Sequence, residues 1–172
     1  MFANGSCCWN HEYKILIEQL SDQKGTFIDP IRKIGLRAWL WQSCTEFGWY
    51  PTTLNQVEMP FGFHLDVDFY ISLCSLAFPE LEFDKKSVEK NINATNVEYG
   101  GINPDISNIV FVHGSVDPWH ALGITEDKGP NKGILIPGTA HCANMYPASI
   151  NDPPQLKHAR QKFGDLISEW LQ

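Results

Sequence analysis

The sequence predicts an α/β fold, and within it the closing part of a mostly parallel sheet with its terminal helix. Three observations point there. Ile109-Val110-Phe111-Val112 and Ile134-Leu135-Ile136 are short apolar runs of the kind that form buried strands. Each runs straight into a loop rich in reactive side chains: Gly114-Ser115-Val116-Asp117-Pro118-Trp119-His120 after the first, Gly138-Thr139-Ala140-His141-Cys142 after the second. From about Pro153-Pro154 onward, Leu156, Phe163, Leu166, Ile167, Trp170 and Leu171 make a broad apolar stripe at helical spacing. Strand, loop, strand, helix is how an open parallel sheet covered by helices ends.

Upstream the chain reads as mostly helical. Asn10 is placed to cap a short helix over 11–20, with Ile15, Leu16 and Leu20 on one face. A polar loop follows at 21–25, and Asp29-Pro30 opens a second helix, with proline at its first position. Residues 37–50 suit a continuation of that helix or, from their Trp, Thr and Phe content, a strand; a strand at about 38–45 is the reading adopted, ended by Pro51. Residues 51–63 are expected as loop. Asp66 to Phe78 reads as an apolar helix stopped by Pro79, and 85–96 as a polar helix or turn. Tyr99-Gly100-Gly101 and Asn103-Pro104 mark a connection, as does the Gly-, Pro- and charge-rich stretch 124–133 between the two apolar runs.

Bulk properties narrow the function. At 172 residues the chain suffices for one domain with a proper core. A net charge of -7 argues against nucleic acid or an anionic membrane as partner, since both are bound through basic patches. No apolar stretch is long enough to span a bilayer. The five cysteines, Cys7, Cys8, Cys44, Cys74 and Cys142, lack the paired spacing of a zinc site, and an odd count leaves at least one unpaired within the chain. No metal site and no cofactor are expected. Asn4-Gly5-Ser6 and Asn93-Ala94-Thr95 are glycosylation sequons at Asn4 and Asn93.

The two loops carry the chemistry. In open α/β sheets functional groups collect at the carboxyl ends of strands, where Asp117 and His141 fall. An Asp and then a His at two successive strand exits are the last two members of a Ser…Asp…His triad in the order α/β-hydrolases use. The His needs the acid to hold its tautomer and to stabilise the imidazolium. Their separation leaves room for one crossover and one strand. The plainer alternative is an Asp-Pro turn opener and a solvated loop histidine.

The motifs Trp39-Leu40-Trp41-Gln42-Ser43-Cys44-Thr45-Glu46-Phe47-Gly48, Tyr99-Gly100-Gly101, Val110 to Leu122 and Ala140-His141-Cys142 together resemble the lysosomal Pro-X carboxypeptidase family. That family also holds dipeptidyl peptidase II and thymus-specific serine protease, and the last branch is the most similar in its Cys-Thr-Glu-Phe-Gly, Asp-Pro-Trp-His and His-Cys details. The resemblance runs in order from about residue 37 to the end. It implies the C-terminal part of an α/β-hydrolase, with 1–36 as the end of a helical cap domain and 37–172 as the hydrolase part. It implies serine exopeptidase cleavage of peptides after proline or similar residues, with Asp117 as triad acid and His141 as base. By the same resemblance Trp119 and Trp49 match substrate-pocket positions, where an aromatic wall suits a proline ring; core packing is the alternative for both. Cys44 and Cys74 match positions that pair, closing a loop worth on the order of 3–4 kcal/mol. Cys7 or Cys8 resembles a cysteine that reaches into the cap, and Cys142 is left as the free thiol. A homodimer is the further partner expected. A secreted or lysosomal/endosomal location is implied, and the two sequons agree with an oxidising compartment.

The nucleophile is what these residues lack. No Gly-x-Ser-x-Gly elbow occurs among them, and Ser115 lies on the acid's own loop. No basic-then-apolar leader is read at the start. The expectation is therefore a fragment whose missing N-terminal half supplies the serine, leaving the 38–45 strand as an exposed, aggregation-prone edge. The alternative function is a truncated module that binds peptides without cleaving them; a different α/β-hydrolase such as an esterase is a third.

Overall fold

The computed structural model of the chain describes residues 13–21, 35–53 and 65–172. By packing the chain divides into two units, Met1–Thr95 and Asn96–Gln172. The expectations for Asn4, Cys7, Cys8, the Asn10 cap, the 29–30 helix start and most of the 51–63 loop lie outside the described residues.

The elements described in the first unit are helices. α1 (Tyr13–Ser21), α2 (Leu36–Gln42) and α3 (Val67–Ala77) pack around Leu20, Leu40, Cys44, Ile71, Leu73, Cys74, Ala77 and Phe78. Asp66 caps α3 by accepting from the Phe69 N–H at 2.7 Å, and Phe78 ends it ahead of Pro79. Arg37 joins the elements: its guanidinium donates to the carbonyls of Leu20 and Ala77, near the C-termini of α1 and α3, and stacks 4.2 Å over the Phe78 ring. A cation there satisfies carbonyls that have no helical partner. α4 (Lys85–Tyr99) is opened by a reciprocal capping box, Ser87 N–H to Asp84 and Asp84 N–H to Ser87. The same contacts hold the Asp84 carboxyl below its ordinary range.

One expectation is overturned. Residues 38–45 are not a strand: α2 runs straight into a π-helical turn, Ser43–Phe47. Burial follows a helical period, with Leu40 and Cys44 inside and Trp39 and Trp41 half exposed. The hydroxyls of Ser43 and Thr45 donate back to the carbonyls of Trp39 and Trp41, four residues earlier. Packing on α3 thus overrides the strand preference of the aromatic residues. With no strand there is no exposed edge, and the aggregation hazard expected from it disappears. The wide turn is locked from outside: Tyr50 Oη donates to the Ser43 carbonyl at 3.1 Å and Asn91 Nδ2 to the Cys44 carbonyl at 3.2 Å. A Cys44–Cys74 disulfide, fully buried, ties the turn to α3.

The second unit holds the sheet expected from the two apolar runs. β1 (Val110–Gly114) and β2 (Lys132–Ile136) pair in parallel, Val110 opposite Lys132 through Gly114 opposite Ile136. α5 (Pro154–Trp170) lays Leu156 and Ala159 on Ile134 and Ile136. Its apolar stripe is only partly covered: Phe163 and Leu171 are exposed, and Leu166, Ile167 and Trp170 are half-buried. The geometry explains this. A 17-residue helix is about 25 Å long, whereas two adjacent strands span about 5 Å between their axes. The parallel strands bring both expected functional loops to the same end of the sheet.

Candidate active site

Asp117 leaves the C-terminal end of β1 as the N-cap of a short 3₁₀ turn, Pro118–Leu122. Its Oδ1 accepts the Trp119 N–H at 3.0 Å, so the carboxylate is oriented by its own loop. His141 sits on the loop after β2, and its Nδ1 lies 2.6 Å from Asp117 Oδ2. The acid side chain is 5 % exposed and the imidazole 57 %. Burial pushes the Asp117 carboxyl up, but hydrogen bonds from His141 and Trp119, with the positive potential of His141 and His113, outweigh it and hold the group below its ordinary range. An ionised carboxylate only accepts, so Nδ1 carries the proton and Nε2 is left as the basic nitrogen.

The loops are built to meet. Gly138 N–H donates to Ser115 Oγ at 2.8 Å and Val116 N–H to the Thr139 carbonyl at 3.0 Å. Gly114 permits the crossing, because a Cβ there would lie 2.3 Å from the Thr139 carbonyl oxygen and 2.5 Å from that of Ala140. The half-buried Trp119 ring stands edge-on to the imidazole, centroids 4.8 Å apart at 68°. Asp117, His141 and Trp119 are therefore one cluster within the second unit. Trp49 belongs to the first unit, at a positive φ of 56°, with its ring 6.2 Å from that of Phe47. Asn93 is exposed on α4, and Cys142 is a partly exposed free thiol. Among the described residues no three or more His, Cys, Asp or Glu side chains gather as a metal site would need.

A profile described as serine carboxypeptidase S28 matches residues 4–163. The chain belongs to the serine carboxypeptidase S28 family. This S28 chain is 34 % identical to thymus-specific serine protease of Mus musculus over 97 % of its own length and 31 % of that relative's. It is 39 % identical to a putative serine protease of Caenorhabditis elegans over 78 % of the chain and 27 % of the relative. It is 27 % identical to lysosomal Pro-X carboxypeptidase of Bos taurus over 80 % and 26 %. The chain thus spans between a quarter and a third of the length of these relatives. No solved structure matches it. S28 members are serine peptidases with an α/β-hydrolase-like fold, and the parallel β1–β2 pair is consistent with part of one.

Sequence reasoning missed His113, on β1 one residue before the acid's loop. Its ring packs so closely on Gly123 that a Cβ there would lie 2.2 Å from Cε1. Its Nε2 is buried with no hydrogen-bond partner among the described residues. Burial lowers its pKa below the ordinary 6.5, against the attraction of Asp117 and with the repulsion of His120. A depressed folded pKa gives stability that is present above the unfolded value and lost as pH falls through the folded one. Melting temperature is therefore expected to fall as pH drops below about 6.5, and His113→Asn to flatten that fall. Thermal denaturation between pH 7 and 5 checks this; equal slopes for both proteins would contradict it. Asp117 loses its contribution only below its ordinary pKa of 3.8, outside that window.

Proposed function

We propose that this chain supplies the acid and the base of a serine exopeptidase that cleaves peptides near one chain end, as a carboxypeptidase or a dipeptidyl peptidase. The observation that carries the reading is the 2.6 Å bond from the exposed His141 to the buried Asp117. His141 Nε2 takes the proton of a serine Oγ as it attacks the scissile carbonyl. Asp117 stabilises the imidazolium, which then returns the proton to the leaving amine. The serine, with the oxyanion hole of its Gly-x-Ser-x-Gly elbow, comes from sequence beyond these 172 residues. Trp119, edge-on to the His141 ring, is assigned to the substrate wall beside the base, and Trp49 is assigned to substrate contact by its match to the family's motif. Residues 1–36 are assigned to the end of a helical cap and 37–172 to the hydrolase domain. The incompletely covered stripe of α5 supports a larger sheet in the longer protein. The names of the relatives and the exposed Asn93 sequon favour secretion or a lysosomal location.

The test is fluorophosphonate labelling. The 172-residue chain alone is expected to stay unlabelled, while a longer form with the upstream elbow is labelled and loses labelling in His141→Ala. Stoichiometric labelling of the isolated chain would overturn the assignment of the nucleophile. A longer form that binds proline-containing peptides but is never labelled would make the protein a binding module.

A further inference from the structure

We infer that Arg160 on α5 is a positioning residue for His141, holding the backbone that leaves the base's loop so that the imidazole stays on Asp117. The inference rests on the acid–base reading above. On its incoming side the loop is held by the crossed bonds to Ser115 and Val116 and by Thr139 Oγ1 on the Ile136 carbonyl. On its outgoing side Cys142 has a positive φ of 60°, and its carbonyl accepts the Met145 N–H at 2.9 Å. The next two carbonyls go to Arg160: Nη2 donates to Ala143 at 3.3 Å and Nη1 to Asn144 at 2.8 Å.

The fork is itself anchored. Arg160 Nε lies 3.3 Å from Asp152 Oδ2 as an ion pair without hydrogen-bond geometry, and both side chains are largely buried. The same Asp152 oxygen accepts the Ser149 N–H at 3.1 Å. Arg160 follows Ala159, which packs on β2, the strand that feeds the loop. Both ends of the loop are therefore referenced to one strand–helix pair. A left-handed, non-glycine Cys142 is a costly conformation that surrounding contacts must hold. Releasing the two carbonyls lets it relax, and the neighbouring His141 turns with it. The imidazole is mostly exposed, so among the described contacts only Asp117 and the Trp119 edge would resist. A lysine offers one charge point where the planar fork meets two successive carbonyls, so it substitutes poorly.

The test reads the hydrogen bond directly. In proton NMR of the 172-residue chain, the His141 Nδ1 proton is expected far downfield, assigned by its loss in Asp117→Asn and His141→Ala. In Arg160→Gln and Arg160→Lys its exchange with water should rise by about tenfold or more, or the signal should vanish, while the amide signals of β1, β2 and α5 persist. An unchanged signal in either folded variant would overturn the inference; if Arg160→Gln fails to fold, Arg160→Lys decides. In a longer form bearing the serine, Arg160→Lys should lower kcat on the order of 10–100-fold with KM little changed. Absence of fluorophosphonate labelling in the wild-type longer form would defeat the peptidase reading and leave the NMR result standing, so the two failures are distinct.

Discussion

Asp117→Asn, made in the form that carries the nucleophile, is expected to lower kcat by about 10⁴ with a much smaller change in KM. The size follows from how the side chain is pinned. Oδ1 accepts the Trp119 N–H, so an asparagine keeps its carbonyl oxygen there and turns its NH₂ toward His141. Nδ1 must then accept rather than donate, the ring proton moves to Nε2, and the nitrogen facing the nucleophile can no longer take a proton. The shape of the site is preserved while its tautomer is reversed. Steady-state kinetics on a proline-containing peptide, beside the rate of fluorophosphonate labelling, would measure it. Near-wild-type kcat in a folded Asn variant would remove Asp117 from the catalytic machinery.

Loss of the Cys44–Cys74 disulfide is expected to destabilise the first unit by about 3–4 kcal/mol through the freed unfolded chain alone. The sequence separation is 30 residues, and both cysteines are 0 % exposed. The bond also joins the π-helical turn to α3, so the Tyr50 and Asn91 contacts on that turn weaken with it. Urea denaturation of the oxidised protein against Cys44→Ala/Cys74→Ala reads the difference, and a value under about 1 kcal/mol would contradict the account. Because the sulfurs are buried, a mild reductant should open the bond only in the presence of denaturant.

The parts of this structure that were legible in the sequence are those in which one local signal dominates. The two strands are legible from the apolar runs 109–112 and 134–136, although β1 continues to Gly114 and β2 starts at Lys132, inside the expected 124–133 loop. α3 has Asp66 before it and Pro79 after it, and the order of Asp117 and His141 reflects their strand exits. The 38–45 segment misled because its tryptophans favour a strand locally, while the decision is made by Leu40 and Cys44 packing on α3. The stripe on α5 is legible as apolar, but periodicity does not say how much surface lies opposite. Arg160 was invisible for another reason. It is an ordinary charged residue on an amphipathic helix, and only the return of α5 over β2 brings it to the Ala143 and Asn144 carbonyls. His113 likewise reads as part of a strand, and its closeness to Gly123 is a tertiary fact.

The hydrogen bonds that stitch Ser115 to Gly138 and Val116 to Thr139 tie the loops of Asp117 and His141 into one frame. A shift of one loop is therefore carried to the other through these bonds. In the proposed enzyme two coordinates remain open on that frame: the turn of the exposed His141 ring on Asp117, and the gap between its Nε2 and the incoming serine. The contacts described for the Asp117–His141 pair are thus drawn from the stretch between β1 and α5 alone, so its geometry is written within about sixty consecutive residues.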